Sequence, residues 1–308
     1  MQASRRWKMM GTVIDLQIEA EGAEALLDLA QERLEAFELM FSANRSDSYL
    51  GMVNQAAGQR AVPVPKLLYD LIQKGKVESL LPDSNLNIAL GPVVQTWRIG
   101  FSDANIPEAD AIARALALTD PEGIVLNDAE QTVFLAKAGM KIDLGALAKG
   151  YFADLILAEL VEKGACSAMI NLGGNVLVTG QNPRRDNGLW YIGIQDPKRS
   201  RGKHLGILAI SEQSVVTSGI YERKLEIEGK SYHHIFDKQT GYPITSDMAS
   251  LTIVANSSLE CEIWTTKLFG KSCLEGFQQI EQAPHIEGIL VTVDGKLVVT
   301  SGLRESFD

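Results

Sequence analysis

Residues Lys141 to Asp154, K-I-D-L-G-A-L-A-K-G-Y-F-A-D, constrain the fold more than any other stretch. A short extended run ends at Asp143, a glycine turn follows at Gly145, and apolar residues recur at helical spacing from Ala146 to Glu162. The pattern predicts a strand, a tight turn and a helix start. The first amides of a helix lack internal partners and the macrodipole adds positive potential there, which suits an anion, above all a phosphate. Lys149 and Gly150 fall in the first turns of that helix. Asp143 stands just before the turn, where a carboxylate can accept hydrogen bonds from a nucleoside or help hold a cation. The same residues also suit a plain strand-to-helix connection with a surface lysine. The stretch is neither a G-x-G-x-x-G fingerprint nor a Walker loop, so it names no cofactor by itself.

Before this stretch the chain is rich in helices. A strand is expected from Met10 to Ile18, an amphipathic helix from Gly22 to Phe41, a Ser- and Asn-rich loop into a short helix from Phe41 to Asn54, and helices from Pro65 to before Pro82 and from Pro107 to Leu116. Asn87 to Phe101 reads as extended before Gly91-Pro92. From Gly123 onward short strands dominate: Ile124 to Leu126, Thr132 to Ala136 and Met140 to Ile142, then, beyond the central helix, Ser167 to Leu172, Val176 to Thr179, Trp190 to Ile194, Leu205 to Ile210, Ser214 to Ser218, Arg223 to Ile227 and Ser231 to Phe236. Met248 to Ala255 is a further strand, Ser257 to Phe269 and Leu274 to Ile280 are helices, and two last strands flank Asp294-Gly295. Strands and helices mix without strict alternation, so the class is α+β with mostly antiparallel sheets and flanking helices, expected as one domain over residues 1–308.

The balance of 39 acidic against 29 basic residues gives a formal charge of -10, which argues against non-specific binding to nucleic acid or an anionic membrane. An anionic ligand then needs a local basic group or a metal. Three cysteines, Cys166, Cys261 and Cys273, show no metal-ligand spacing and make no disulfide framework. The amino terminus has basic residues but no apolar stretch behind them, and about 18 consecutive apolar residues occur nowhere, so neither a signal peptide nor a membrane span is expected. As written the chain reads as cytoplasmic, or as an exported or anchored protein from which a leader was trimmed.

Three further stretches carry more polar and glycine character than packing needs. Asn171-Leu172-Gly173-Gly174-Asn175 allows close backbone approach to a ligand, or is a β-bulge. The run from Tyr232 to Pro243 brings His233 and His234 from a strand into a Gly- and Pro-containing turn, where a satisfied core histidine is the ordinary alternative. Glu262 and Thr266, four apart on a helix, face the same way, as a hard cation requires, or are a solvated Glu and a Thr bonded back to its helix.

Taken in order, these stretches resemble the FAD:protein FMN transferase family, often called ApbE. The resemblance rests on M-G-T at Met10, the F-S…N loop from Phe41 to Asn54, G-P-V-V…W from Gly91 to Trp97, I-D-L-G-A-L-A-K-G-Y…D from Ile142 to Asp154, N-L-G-G-N from Asn171, H-I-F-D…T-G-Y-P from His234, and E-I-W-T-T from Glu262. It implies a T-fold-related architecture and an enzyme that uses Mg²⁺, with Mn²⁺ as a second candidate, to move the FMN half of its substrate FAD onto a Ser or Thr of an acceptor flavoprotein, releasing AMP. Met10, Asn44 and the segment Asn87, Ile88 and Ala89 are implied to line the FAD site. Asp143 is implied to hold the adenosine part, and Lys149 and Phe236 to complete the pocket. The Ala146 carbonyl with the Glu262 and Thr266 side chains is implied to hold the metal, and His234 to accept or orient the acceptor hydroxyl. The alternatives are an FAD hydrolase giving FMN and AMP, and a non-catalytic FAD-binding protein.

Four positions depart from the family pattern. Glu262 stands where Asp is usual, Asn44 replaces an aromatic ring worth about 0.5–1.5 kcal/mol if it stacks, Asn87 replaces an Asp, and Lys238 replaces a Pro and is expected to strengthen phosphate contact.

Overall fold

The computed structural model describes residues 1–200, 202–221, 224–227 and 229–308. Its elements begin with the hairpin β1 (Gln2–Met9) and β2 (Thr12–Glu19), followed by α1 (Ala23–Phe41), α2 (Tyr49–Gln55), β3 (Val62–Pro63) and α3 (Lys66–Leu80). A 3-10 turn, Ile88–Leu90, runs straight into α4 (Gly91–Trp97), and α5 (Ala109–Leu116), β4 (Ile124–Asn127), β5 (Thr132–Leu135) and α6 (Ala148–Glu162) come next. Strands then dominate: β6 (Ser167–Leu172), β7 (Asn175–Thr179), β8 (Trp190–Gln195), β9 (His204–Ile210), β10 (Ser214–Gly219), β11 (Lys224–Ile227), β12 (Lys230–His233) and β13 (Met248–Ala255). The chain closes with α7 (Ser258–Leu268), α8 (Cys273–Gln282), β14 (Glu287–Thr292) and β15 (Leu297–Val299).

Eight strands make the main sheet, in the order β1-β2-β6-β7-β10-β13-β14-β15. Every ladder between the described strands is antiparallel, as the mixed α+β pattern predicts. All eight residues of β13 are buried. The period of two explains this: Leu251, Ile253 and Ala255 pack on α7 and α8 with Cys261, Leu268 and Ile280, while Val254 faces Trp190, Ile194 and Leu208 of the β8-β9 hairpin on the other side. At the other end of the sheet α1 buries Leu27, Ala30, Leu34, Phe37 and Phe41, and Phe37 stacks on Phe152 of α6 with ring centroids 4.8 Å apart. The largest apolar cluster runs in sequence from Ile14 to Ile263.

Several local expectations are corrected. The strand expected from Met10 is the second arm of a hairpin, and Met10 itself is a turn residue at φ 52° beside Gly11 at φ 70°. The first arm, β1, carries so many polar residues that its alternation is masked. Arg5 reaches Glu24 and Asp28 on α1, and the Trp7 indole donates to Gln31 at 2.9 Å. Charges on this edge strand also discourage pairing with another chain.

Asn87 to Trp97 is helical rather than extended at its start, because the Asn87 side chain accepts from the Ala89 amide at 2.8 Å and caps the turn. No strand forms at Met140 to Ile142. Its ladder partner is replaced by a side chain: Asn54 accepts from the Ile142 amide at 2.7 Å and donates to the Ile142 carbonyl at 3.0 Å. The central helix begins at Ala148 instead of Ala146, and Gly173-Gly174 is the tight turn between β6 and β7, not a bulge. The strand expected to Phe236 ends at His233, where Phe236 pairs with Pro243 across the following turn. Of the strand expected from Arg223, Lys224–Ile227 is present as β11, and Arg223 lies outside the described residues.

Two contacts decide how the site is framed. Trp97, fully buried, donates from its indole to the Gly241 carbonyl at 2.9 Å and is ringed by Tyr232, Phe236 and Tyr242, which ties α4 to the histidine-bearing turn. Helices α6 and α7 meet at Gly150, where a Cβ would stand 2.5 Å from the Ser258 carbonyl oxygen and 2.8 Å from Cγ of Glu262. Gly150→Ala is therefore expected to cost about 1–3 kcal/mol, the range of a small overpacking. Urea unfolding measures this, and an unchanged midpoint contradicts the close crossing.

His233 generates a pH prediction. Its Nε2 lies 2.9 Å from the Ile244 carbonyl and so carries the proton, while Nδ1 accepts from the Ile235 amide at 3.3 Å. Burial holds its pKa below the ordinary 6.5, and the neutral ring has no open site for a second proton. A depressed histidine contributes stability that is intact above the unfolded value and is lost as pH falls through the folded one. Lowering pH from about 7.5 to about 5.5 is expected to reduce the urea midpoint more in the wild type than in His233→Gln. Equal falls in both proteins contradict a buried neutral His233.

Candidate functional site

The site is assembled from three elements that the sequence keeps far apart. Asp154 on α6 receives hydrogen bonds from the Ser257 hydroxyl at 2.8 Å and from the amides of Ser258 and Leu259 at 2.7 and 2.9 Å. These are the open amides at the start of α7, so a carboxylate from one helix caps the next. Burial pushes the Asp154 carboxyl above its usual range, against the pull of those three donors. The cap fixes the register of α7 and thereby aims Glu262, one turn further along, back toward α6.

Glu262 is 3 % exposed. Its Oε1 accepts from Lys149 Nζ at 2.5 Å and from Asn175 Nδ2 at 3.0 Å. Asn175 is delivered by the Gly173-Gly174 turn at the start of β7 and is locked from behind, because its Oδ1 accepts from the Ser258 hydroxyl at 2.6 Å. A buried carboxylate is costly unless it is paired and hydrogen-bonded, and this one is both. Thr266 sits half-buried one turn beyond Glu262 on α7. Ala146 lies exposed in the turn one helical turn ahead of Lys149, and its carbonyl accepts no hydrogen bond among the described residues. The amides of Lys149 and Gly150 likewise donate to no carbonyl there, so α6 presents open donors at its amino end.

A second group adjoins the run that leads into α6. The Asp143 amide donates to the Ile88 carbonyl at 2.8 Å, and an Asp143 carboxylate oxygen accepts from the Gly145 amide at 2.8 Å. That single backbone bond brings the Asn87-Ile88-Ala89 turn next to Asp143. Asn87 donates to the Thr119 carbonyl at 2.8 Å, and the Ile88 amide donates to the Ser79 hydroxyl at 2.9 Å, so the turn is held on both sides. Ile88 and Ala89 are buried. Asn85 extends the group: it donates to the Phe236 carbonyl at 3.1 Å and accepts from the Lys238 amide at 3.3 Å, joining the histidine-bearing turn to the Asn87 turn. Phe236 is buried against Trp97, and His234 lies half-buried directly after β12.

Two expected members stand apart. Met10 donates its amide to Glu38 on α1 at 3.3 Å, and Asn44 accepts from Gln95 at 3.0 Å. Among the described residues, no hydrogen bond joins either to the Glu262 cluster. The Lys238 ammonium lies 3.4 Å from the Leu81 carbonyl and 3.5 Å from that of Ser79, at the carboxyl end of α3, where a cation complements the helix dipole. Burial lowers its pKa.

The residues present fit a hard divalent cation. The described residues contain no cluster of three His, Cys, Asp or Glu, so a closed protein cage is absent. One buried carboxylate, one hydroxyl and one open carbonyl are instead donors of the kind that Mg²⁺ takes when substrate phosphates and water complete its shell. The carboxylate already attracts a cation, the Lys149 ammonium.

Sequence and structure comparisons bear on the family and the fold. The family model described as the ApbE family matches residues 10–290. An FAD:protein FMN transferase of Klebsiella pneumoniae (strain 342) is 38 % identical over 299 residues, covering 97 % of this chain and 92 % of that protein. An FAD:protein FMN transferase of Treponema pallidum (strain Nichols) is 32 % identical over 315 residues, covering 97 % and 87 %. In fold, the chain is similar to the crystal structure of the ApbE protein of Thermotoga maritima, with a TM-score of 0.89, 23 % identity and 99 % of both chains covered. It is also similar to the flavinyl transferase ApbE of Pseudomonas stutzeri in its apo form, with a TM-score of 0.85, 24 % identity and 100 % and 97 % coverage. No helix among the described residues is long and apolar enough to cross a membrane. On the family match and the two curated relatives, the chain belongs to the ApbE family.

Proposed function

We propose that this protein is an FAD:protein FMN transferase, which moves FMN from FAD onto the hydroxyl of a Ser or Thr in an acceptor flavoprotein and releases AMP. The observation that carries the reading is the convergence of Lys149 from α6 and a buried Glu262 from α7 beside the open amides of a helix start. In this reading the acceptor oxygen forms a bond to the FMN phosphorus, the bond from that phosphorus to the AMP oxygen breaks, and the hydroxyl proton passes to His234. A hydroxyl is a poor nucleophile near neutral pH, and an imidazole is suited to take its proton as a general base.

The rest is positioning and charge compensation, the main work of phosphoryl transfer. Lys149 and the amides at the start of α6 hold the pyrophosphate, Asp143 accepts from the adenosine part, and Met10, Asn44, Asn87, Ile88, Ala89 and Phe236 line the remainder of the dinucleotide pocket. Glu262, Thr266 and the Ala146 carbonyl hold Mg²⁺, or Mn²⁺ in its stead. The bound metal supplies neutralisation of the charge that builds on the pyrophosphate oxygens.

Glu262→Ala is expected to lower metal-dependent AMP release at saturating FAD by about a hundredfold or more, and an unchanged rate removes Glu262 from the metal site. His234→Ala is expected to slow transfer by about a hundredfold to ten-thousandfold, with FAD affinity within about threefold of wild type. A parallel loss of FAD binding makes His234 a structural residue instead.

A further inference from the structure

Resting on the assignment of Glu262 as a metal ligand and going beyond it, we propose that Lys149 is a resident counter-ion of the metal site, which the divalent cation displaces and the dinucleotide receives. Lys149 and Asn175 share one carboxylate oxygen of Glu262. A divalent cation on that carboxylate repels an ammonium in contact with it, and in a site this buried the repulsion is poorly screened. One of the two positive charges leaves.

The surroundings decide which group moves. The Glu262 side chain is 4 % exposed, its stem packs where a Cβ of Gly150 would stand, and its partner Asn175 is itself locked by Ser258. The Lys149 side chain is 34 % exposed and has no other ion-pair partner among the described residues. Lys149 is therefore the mobile member. Without a dinucleotide its ammonium moves to water, and the cation must win the carboxylate in direct competition. With a dinucleotide bound at the amino end of α6, the released ammonium gains a pyrophosphate a short distance from its own backbone. Cation and dinucleotide then bind cooperatively, each raising the affinity of the other by the same factor. The ion pair thus keeps a buried carboxylate neutralised in the metal-free protein and couples metal loading to substrate binding.

The test is Mn²⁺ titration of the intact protein, read by the electron paramagnetic resonance of free Mn²⁺, with and without FAD and in the absence of acceptor. Lys149→Met is expected to bind Mn²⁺ alone about tenfold more tightly than wild type, and to lose a similar factor from the enhancement that FAD gives. Lys149→Gln, which keeps a donor for Oε1 without the charge, is expected to shift in the same direction, and it serves if the Met variant does not fold. Mn²⁺ affinity in these variants equal to or weaker than wild type overturns the counter-ion role. Glu262→Gln separates this failure from a deeper one. If it binds Mn²⁺ as wild type does, the metal assignment itself falls. If it loses Mn²⁺ while the Lys149 variants are unchanged, only the counter-ion is overturned.

Discussion

The buried carboxylate of Glu262 is the interaction on which the rest of this structure depends. Held in a protein interior, it requires a cation and further donors, and the fold supplies them from two other elements: Lys149 from α6 and Asn175 from β7. The consequences spread outward. Gly150 has no side chain because Ser258 and Glu262 fill the space. Asp154 caps α7 because a slip of that helix would turn Glu262 away. The Gly173-Gly174 turn brings Asn175 to the start of β7, where it meets both Ser258 and Glu262. The D-L-G…A-K-G…D and N-L-G-G-N motifs are thus two halves of one support for a single side chain.

Much of this was legible in the sequence, for identifiable reasons. Helix α1 and strand β13 declare themselves because local periodicity coincides with burial. The motif residues were legible because glycines and charged groups occur there in excess of what packing needs. What was hidden depends on side chains that replace regular backbone pairing across long sequence separations. Asn54 stands in for a strand beside Ile142, and Asn85 bridges to the Phe236 turn more than a hundred residues away. A lone asparagine in a loop gives no periodic signal. The first strand is hidden for a different reason: its half-buried face, Ala3, Arg5, Trp7 and Met9, includes a charged residue that spoils the apolar alternation, and the partners of Arg5 on α1 are charged too.

The positions that depart from the family pattern acquire physical meaning in the structure. Asn87 keeps the capping role of a short polar side chain, accepting from Ala89 while donating to Thr119. Asn44 is paired with Gln95, whose other end receives Arg98, so a polar chain occupies the position of an aromatic ring. Lys238 reaches the carboxyl end of α3, where its charge complements the helix dipole. Glu262 keeps an oxygen donor, and its reach is matched to Lys149. The changes therefore alter how the pocket is lined and leave the carboxylate, lysine and histidine of the proposed reaction in the chain.

The central claim is that these groups transfer FMN rather than merely bind FAD. It is tested most directly by incubating the purified protein with FAD, Mg²⁺ or Mn²⁺, and an acceptor flavoprotein domain with a modifiable Thr, then measuring nucleotides by chromatography and the acceptor by intact mass. The account predicts AMP and FMN-bearing acceptor in equal amounts, dependent on the metal. AMP with free FMN and unmodified acceptor contradicts transfer in favour of hydrolysis, and intact FAD with either metal contradicts catalysis altogether.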